Sequence, residues 1–297
     1  MAISPLDPQT AETQRIWDAF TQGLRERGWV EGKNIVIERR SWEGKAERLP
    51  EVAAEMARLK LDVIVAIAAQ GALAAKSATR TIPVVALGIT DPVGSGLVAS
   101  LARPGGNVTG LSVMAPDLVG KQLEMMKQIL PRLSRAAVLW NPAHPVHPEL
   151  LKNGEISARV LGVQLQRVEA RVPGDFEAAF SAMAKGRAEA FLVLVDPMYY
   201  LHRTTLVDLA AKARLPTMYG LTGFVAEGGL IGYGPNLAEH FRQGADYVDR
   251  ILRGAKPAEL PVAQPTTFEL LVNLKTAGSL GLTIPQTLLL RADRLIE

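Results

Sequence analysis

Few side chains in this sequence are spaced in a way that suggests catalysis or metal binding. His144 and His147, with Glu149 close by, can be considered as metal ligands, but they lie among three prolines and match no zinc motif. We expect these two to be solvated loop histidines. Asp91 and Asp196 can be considered as an acid–base pair, yet no nucleophile accompanies them. The sequence therefore predicts no enzymatic activity, no metal site and no cofactor.

The motifs of nucleotide chemistry and of serine hydrolases are also missing. The glycine-rich stretch Gly88–Gly96 lacks the Gly-Lys-Ser/Thr ending of a phosphate loop, and Gly94-Ser95-Gly96 lacks the third glycine of a dinucleotide-binding motif. No Gly-x-Ser-x-Gly elbow occurs. His202 and His240 fall on predicted helices with no triad around them, and we expect both at surface or edge positions.

Polar residues directly after buried strands indicate binding instead. In open parallel sheets, ligands bind beyond the carboxyl ends of the strands, where helix N-termini offer free N–H groups that suit a carboxylate. The residues in these places are predicted to bind ligand: Ala69 and Gln70 after one strand, Thr90 and Asp91 after the next, then Asn141 and Asp196. The alternative for Ala69 and Gln70 is the ordinary chemistry of a helix start. For Thr90 and Asp91 it is a helix cap, and for Asp196 it is a turn or a helix cap.

Aromatic residues gather near the later strand ends. Only 5% of the chain is aromatic, yet Tyr199, Tyr219, Phe224 and Tyr233 all fall there. They can form one wall of an amphiphilic pocket, although ordinary core packing explains any one of them as well.

Helices and strands alternate along the chain and position these residues. Buried strands are predicted over Asp62–Ala68, Pro83–Ile89, Ala136–Trp140 and Ala190–Val195, with amphipathic helices between them. An alternating strand is predicted over Asn34–Arg40. This βαβ order predicts an α/β fold with parallel sheets covered by helices on both faces.

The opening of the chain departs from this rhythm. The first helix, predicted over Glu12–Arg27, is preceded only by the short stretch Ala2-Ile3-Ser4, where a doubly wound lobe normally begins with a full strand. Either the first strand is very short or part of it is missing, and Ser4 is then what remains of a first binding loop.

Composition excludes several classes of protein. The 297 residues carry a net charge of +3 with acids and bases interleaved, which does not resemble a nucleic-acid-binding stripe. Because these 297 residues contain no cysteine, we expect no disulfides, no thiolate metal site and no cysteine-linked lipid anchor. No apolar run approaches the ~20 residues of a membrane helix. The N-terminus lacks the features of a signal peptide and, taken literally, favours the cytosol. The alternative is that a leader peptide is missing from the given sequence.

The stretch from Thr90 to Gly110, TDPVGSGLVASLARPGGNVTG, resembles the signature of substrate-binding proteins of bacterial ABC transporters, in the tryptophan/tyrosine-type group. Further similar stretches are Phe20–Leu24, Gly28–Asn34, Gln264–Leu270 and Asn273–Ala277. The resemblance implies a type I periplasmic-binding-protein fold: two doubly wound, Rossmann-like lobes with a ligand cleft between them. It also implies partnership with a permease and ATPase subunits and a periplasmic location.

The two lobes are predicted to comprise residues 1–112 with about 236–264, and residues 113–235 with about 265–297. We expect a monomer that closes by a hinge over an aromatic amino acid or aromatic carboxylate and binds no nucleic acid. A cytosolic sensor of the same fold is one alternative, although no DNA-binding helix pair precedes the first lobe. An α/β enzyme is the other.

Overall fold

The computed structural model describes residues 2–4, 11–43, 45–113, 118–265 and 267–297, with side chains described from residue 14 onward. The chain divides into two compact units. Unit 1 comprises Met1–Met114 and Asn236–Thr266, and unit 2 comprises Ala115–Pro235 and Thr267–Glu297. The sequence also places the join between the lobes near Gly110–Pro116, of which residues 114–116 lie outside the described part of the chain.

Unit 1 is built on a five-stranded parallel sheet in the order β2-β1-β3-β4-β5. Its strands are β1 (Ala2–Ser4), β2 (Arg39–Ser41), β3 (Ile64–Ile67), β4 (Val84–Ile89) and β5 (Val108–Ser112). Its helices are α1 (Ala11–Glu26), α2 (Leu49–Arg58), α3 (Ala68–Ala78) and, from the later segment, α10 (Leu237–Leu252).

Helices cover both faces of this sheet because its central strands are apolar on both sides. Every residue of β3 is buried, and Ile64 and Ala66 pack with residues of α2 and α3 in one core cluster. On the other face, Gly244 of α10 lies against the Leu87 side chain. Near-continuous apolar strands of this kind are typical of parallel sheets buried on both faces.

Unit 2 is built on a seven-stranded sheet in the order β12-β11-β10-β9-β8-β6-β7. Its strands are β6 (Arg135–Trp140), β7 (Gln164–Glu169), β8 (Ala190–Val193), β9 (Thr217–Tyr219), β10 (Ile231–Pro235), β11 (Phe268–Asn273) and β12 (Arg294–Ile296). Its helices are α4 (Leu118–Ile129), α5 (His147–Val160), α6 (Phe176–Lys185), α7 (Pro197–Leu201), α8 (Arg203–Lys212), α9 (Gly223–Ala226), α11 (Leu274–Leu280) and α12 (Gln286–Leu289).

The α/β class and the parallel sheets predicted from sequence are confirmed, with two differences in detail. The sheet of unit 2 is mixed, since β10 and β11 pair antiparallel while its other pairs are parallel. The strand predicted over Asn34–Arg40 is wrong for most of its length: the structure has a strand only at Arg39–Ser41, where β1 lies alongside to pair with it. Among the described residues, no helix has the length and apolar character needed to cross a membrane.

Candidate functional site

The carboxyl ends of β3 and β4 carry the first group of predicted site residues. The two strands are neighbours, with Ile67 opposite Leu87, so the segments that follow them emerge side by side. Helix α3 begins immediately after β3, and no side chain caps its N-terminus. Ala68, its first residue, has φ +64°, a conformation that costs energy for a residue with a Cβ. The uncapped N–H groups give this strand end a partial positive charge.

Two buried polar atoms lie at this same edge of the sheet without a partner. Within the described part of the chain, the Oε1 of Gln70 and the Oγ1 of Thr90 make no hydrogen bond, although both atoms are buried. Thr90 as a residue is only 3% exposed. A buried polar group normally has a partner, because leaving it unpaired costs roughly 1–3 kcal/mol. Both residues were predicted to contact a ligand, and each has a buried polar atom that could form a hydrogen bond with one.

The remaining predicted residues of unit 1 have other surroundings. Asp91 closes a turn: its Oδ1 accepts from the Gly94 N–H at 2.8 Å, and its backbone carbonyl accepts from the Ser95 N–H at 3.1 Å. Asp91 therefore serves a turn, whereas the alternative considered for it was a helix cap. The Ala69 side chain is buried, 1% exposed, within the core cluster of α2, α3 and the sheet. Ser4 ends β1 opposite Ser41, and its side chain is outside the described part.

His240 is a buried residue of unit 1, which corrects the expected surface or edge position. It is 3% exposed, and its Nε2 accepts from the Gly88 N–H of β4 at 3.0 Å. Burial lowers the pKa of the His240 imidazole to about 4, and a hydrogen bond with the Leu111 backbone opposes this effect. Neutral His240 thus ties α10 to strands β4 and β5.

In unit 2, Asn141 and Asp196 follow the neighbouring strands β6 and β8 and bind each other. The Asn141 Nδ2 donates to the Asp196 Oδ2 at 3.0 Å, and both residues are buried. The other carboxylate oxygen, Oδ1, accepts from the Met198 and Tyr199 N–H groups and so caps α7. Burial raises the pKa of Asp196 to about 6, and these three hydrogen bonds oppose the rise. The capping alternative considered for Asp196 is therefore present in the structure.

The two histidines of the proline-rich loop join this cluster, so the expectation that they are solvated is wrong. His144 is 2% exposed and His147 is fully buried, and their rings stack at 4.1 Å between centroids. His147 Nδ1 accepts from the Asn141 N–H at 2.8 Å, which leaves its proton on Nε2, 3.1 Å from the Val195 carbonyl oxygen. His147 thereby links the ends of β6 and β8.

One donor atom each from His144, His147 and Asp196 lies within 4.8 Å of the other two. However, both ring nitrogens of His147 already form hydrogen bonds with backbone atoms, and the Asp196 carboxylate accepts three hydrogen bonds. Burial lowers the pKa of His147 to about 4 and that of His144 well below its usual value. This arrangement fits a hydrogen-bonded structural cluster with neutral imidazoles better than a metal site, and Glu149 is exposed and outside it.

The four predicted aromatic residues have separate packing partners. Tyr199 is fully buried, donates its hydroxyl to the Ala170 carbonyl at 2.8 Å and contacts the rings of Phe176 and His147. Tyr219 and Phe224 stack at 4.4 Å, and Tyr233 stacks on Phe268 at 5.7 Å. Core packing, the alternative considered for each of them, accounts for Tyr199 in particular.

Sequence reasoning missed Gln122 of α4. This side chain is 3% exposed, and its Nε2 donates to the Tyr233 carbonyl oxygen at 3.0 Å. It holds the middle of β10 against α4. A polar residue in the apolar row of a predicted amphipathic helix was the signal that could have identified it.

Comparison with known proteins gives consistent matches over almost the whole chain. Residues 11–296 match the family model described as ABC transporter substrate binding protein. A tyrosine-binding protein of Clostridioides difficile is 24% identical over 263 residues, which cover 89% of this chain and 75% of that protein.

Two solved structures superpose closely. A conserved domain protein from Vibrio cholerae has a TM-score of 0.92 and 31% identity, with 99% of this chain and 98% of that chain covered. An ABC domain from Streptococcus pneumonia in complex with L-Trp has a TM-score of 0.90 and 25% identity, with 99% of both chains covered.

Proposed function

Because the chain belongs to the family of ABC transporter substrate-binding proteins, we propose that it binds a free aromatic amino acid and presents it to a membrane permease driven by ATPase subunits. The ligand leaves the protein chemically unchanged, and the protein works outside the cytoplasm. Support for the ligand class comes from a relative named for binding tyrosine and a structural neighbour that holds L-Trp.

The proposal that the ligand has a carboxylate rests on the uncapped N-terminus of α3 and on the unpartnered hydroxyl of Thr90. A carboxylate placed after β3 and β4 would accept from the free N–H groups of α3 and from the Thr90 hydroxyl. The Gln70 Oε1, which can only accept, would pair with an N–H donor on the ligand. An α-amino acid carries both kinds of group on one carbon.

A binding experiment with matched ligands tests this assignment. We expect L-tryptophan or L-tyrosine to raise the melting temperature of the purified protein, since a ligand that binds only the native state stabilises it by mass action. Tryptamine and tyramine lack the carboxylate, and we expect them to bind at least about tenfold more weakly, because a hydrogen bond to a charged group contributes roughly 1.5–3 kcal/mol. If every aromatic amino acid leaves the melting temperature unchanged, the proposed ligand class is wrong.

The substitution Thr90→Val tests the residue directly. Valine keeps the shape of threonine and removes the unpartnered hydroxyl, so we expect stability to be retained while affinity for the amino acid falls about tenfold. Thr81→Val is the matched control, since Thr81 is exposed and precedes β4 at the opposite end of the strand. Equal affinity for both variants would contradict a role for Thr90 in binding.

Two further measurements separate the alternatives. Chromatography of the ligand after incubation should return it intact, whereas an enzyme would convert it. Reconstitution with the permease and ATPase subunits should give ATP-dependent uptake that requires this protein, whereas a cytosolic sensor would support none.

A further inference from the structure

A small cavity of about 150 Å³ lies within unit 2, beside the amino ends of strands β9 and β10. Its lining includes Arg214, which precedes β9, and Gly228 and Gly229, which precede β10. Asn141 and Asp196, in contrast, follow the carboxyl ends of β6 and β8. Because β6, β8 and β9 run parallel, the cavity lies toward the opposite end of the sheet.

The cavity has an exposed rim and a buried interior. Ala211, Arg214 and Ser279 line it and are exposed, so they form the rim. Deeper in, Val207 and Ala210 of α8 are both buried, and both side chains are apolar. A molecule that enters from solvent therefore meets mainly apolar surface once it has passed the rim.

One polar atom of the interior, the Tyr219 hydroxyl oxygen, has no partner. Tyr219 lines the cavity and is fully buried, and within the described residues its oxygen makes no hydrogen bond. Thr217 lies close to it, but the two hydroxyls do not meet in normal hydrogen-bond geometry, and the Thr217 Oγ1 already accepts from the Leu230 N–H at 3.1 Å. Burial raises the pKa of the Tyr219 hydroxyl, which therefore stays neutral and able to donate. A buried hydroxyl normally has a partner.

The Tyr219 ring is held in place, so its hydroxyl cannot turn toward another partner. Its face stacks on Phe224 at 4.4 Å between ring centroids. Its edge lies so close to Gly229 that a Cβ there would overlap the ring. Because the hydroxyl oxygen lies in the plane of the ring, a fixed ring also fixes the position of that oxygen.

The other polar side chains around the cavity already have partners. Thr276 Oγ1 donates to the Gly228 carbonyl at 2.8 Å, and Ser279 Oγ donates to the Thr276 carbonyl at 2.9 Å. The Arg214 guanidinium donates to the Ser279 carbonyl at 3.1 Å. Arg214 is also the one charged residue among those described as lining the cavity, and it lies at the exposed rim. The interior therefore favours a neutral ligand, because burying an unpaired charge costs far more than burying a hydroxyl.

We propose that this cavity binds a small neutral molecule, about the size of a benzene ring, that is mainly apolar and carries one hydroxyl group. The hydroxyl of the ligand would pair with that of Tyr219, and its apolar part would lie against Val207 and Ala210. The volume suits such a molecule, since an apolar cavity of about 150 Å³ engineered in another protein binds benzene. This is a second binding site, in a different unit and of different chemistry from the site proposed for the carboxylate of the amino acid.

Phenol and toluene are matched probes, because toluene has a methyl group where phenol has its hydroxyl. We expect phenol alone to bind the purified protein saturably in titration calorimetry and to raise its melting temperature. Saturating L-tryptophan should leave phenol binding unchanged. Displacement by L-tryptophan would place phenol in the amino-acid site and contradict the proposal. An absence of saturable phenol binding would also contradict it, and would mean that the cavity holds water only.

The substitution Tyr219→Phe tests the hydroxyl. Phenylalanine keeps the ring and removes the unpartnered oxygen, so we expect stability to be retained while the ratio of phenol affinity to toluene affinity falls about tenfold. Tyr247→Phe is the control, since it removes a hydroxyl in unit 1 that donates to the Pro261 carbonyl, and it should leave the ratio unchanged. The same ratio in the Tyr219→Phe protein as in the unmodified protein would overturn the proposal.

Two alanines near the end of α8 locate the ligand. Ala211→Leu enlarges a side chain at the rim of the cavity, so phenol affinity should fall at least about fivefold. Ala213→Leu is the matched control, because Ala213 is exposed two residues later and does not line the cavity. Both alanines are exposed, so we expect both variants to fold. Equal phenol affinity in the two variants would contradict the place assigned to the ligand.

Discussion

At the scale of single residues, Asp196 shows how backbone and side-chain donors of the protein hold a buried carboxylate. Its carboxylate accepts from two backbone N–H groups of α7 and from the Asn141 amide, and these bonds oppose the effect of burial on its pKa. Removing one partner from such a group leaves a desolvated polar atom, which costs more than the lost bond alone. The Asn141–Asp196 pair is therefore expected to stabilise unit 2 as a coupled unit.

Exchanging the two residues tests that coupling. In the Asp196→Asn variant, an NH₂ group faces the Asn141 Nδ2, so two donors meet. In the Asn141→Asp variant, two carboxylates lie side by side. Each variant should therefore have a free energy of unfolding lower by about 1–3 kcal/mol or more at pH 7.5. The double variant restores one donor facing one acceptor and should recover part of the loss. Urea denaturation of all four proteins measures the cycle, and strictly additive losses would show that the pair is not coupled.

The positions of some candidate site residues can be predicted from the sequence, and those of others cannot. Thr90 and Gln70 follow from a general rule, since residues after buried parallel strands meet at one edge of the sheet. The role of His147 does not follow, because it depends on the Asn141 N–H and the Val195 carbonyl reaching the same ring from two different strands. Pro142, Pro145 and Pro148 around it suggested an exposed loop, and only the packed structure shows the imidazole buried.

At the scale of elements, the contact between β4 and β5 depends on a residue without a side chain. Gly110 on β5 has φ +142°, and a methyl group there would overlap the Ala86 carbonyl of β4. The neighbouring strand backbone cannot move away without breaking its own pairing with β3. A glycine is thus required at position 110 both because the β4 backbone lies so close and because φ is positive there.

Gly110→Ala should therefore destabilise the protein strongly, by about 3 kcal/mol or more, since it combines overlap with backbone strain. Gly106→Ala is the control: four residues earlier, a Cβ would meet no atom within 4 Å, and we expect a change within about 0.5 kcal/mol. Thermal and urea denaturation of the two variants measure the difference. Similar stability of both would contradict the close approach of β4 and β5.

The strand predicted over Asn34–Arg40 shows where reading elements from sequence reaches its limit. Alternating Ile35 and Ile37 have the period of a strand, and that pattern is local. Pairing is not local, because it needs a neighbouring strand, and the described part of β1 pairs with Arg39–Ser41. Strands such as β3 and β4, which are apolar throughout and flanked on both sides, were correctly predicted because their pattern and their neighbours agree.

At the scale of the whole molecule, burial of ionisable groups links stability to pH. His147 and His240 have pKa values lowered to about 4, and His144 is also lowered well below its usual value. Asp196 has a pKa raised to about 6. In the unfolded chain the histidines titrate near 6.5 and the aspartate near 3.9.

As the pH falls, the histidines and Asp196 change the free energy of unfolding in opposite directions. Below pH 6.5 the unfolded chain takes up protons on His147 and His240, which the folded chain leaves neutral, so their contribution to stability is lost as the pH falls toward 4. His144, whose pKa is also lowered by burial, acts in the same direction. Asp196 acts the other way, because the folded chain protonates it first, between pH 6 and 4. The two histidines with pKa values of about 4, set against Asp196, leave an excess of about one proton on the unfolded chain, at about 1.4 kcal/mol per proton and pH unit, and His144 adds to this excess.

We therefore expect the free energy of unfolding to fall by at least about 1 kcal/mol between pH 6 and pH 5. Urea denaturation across this range measures the slope. His240→Gln should make the slope shallower by about one proton, since glutamine can still accept from the Gly88 N–H but does not titrate. His202→Gln is the comparison, because His202 is only partly buried and its pKa is less strongly lowered, so its removal should change the slope less. A stability that rises from pH 6 to pH 5 would mean that Asp196 outweighs the histidines, which contradicts their burial as neutral groups.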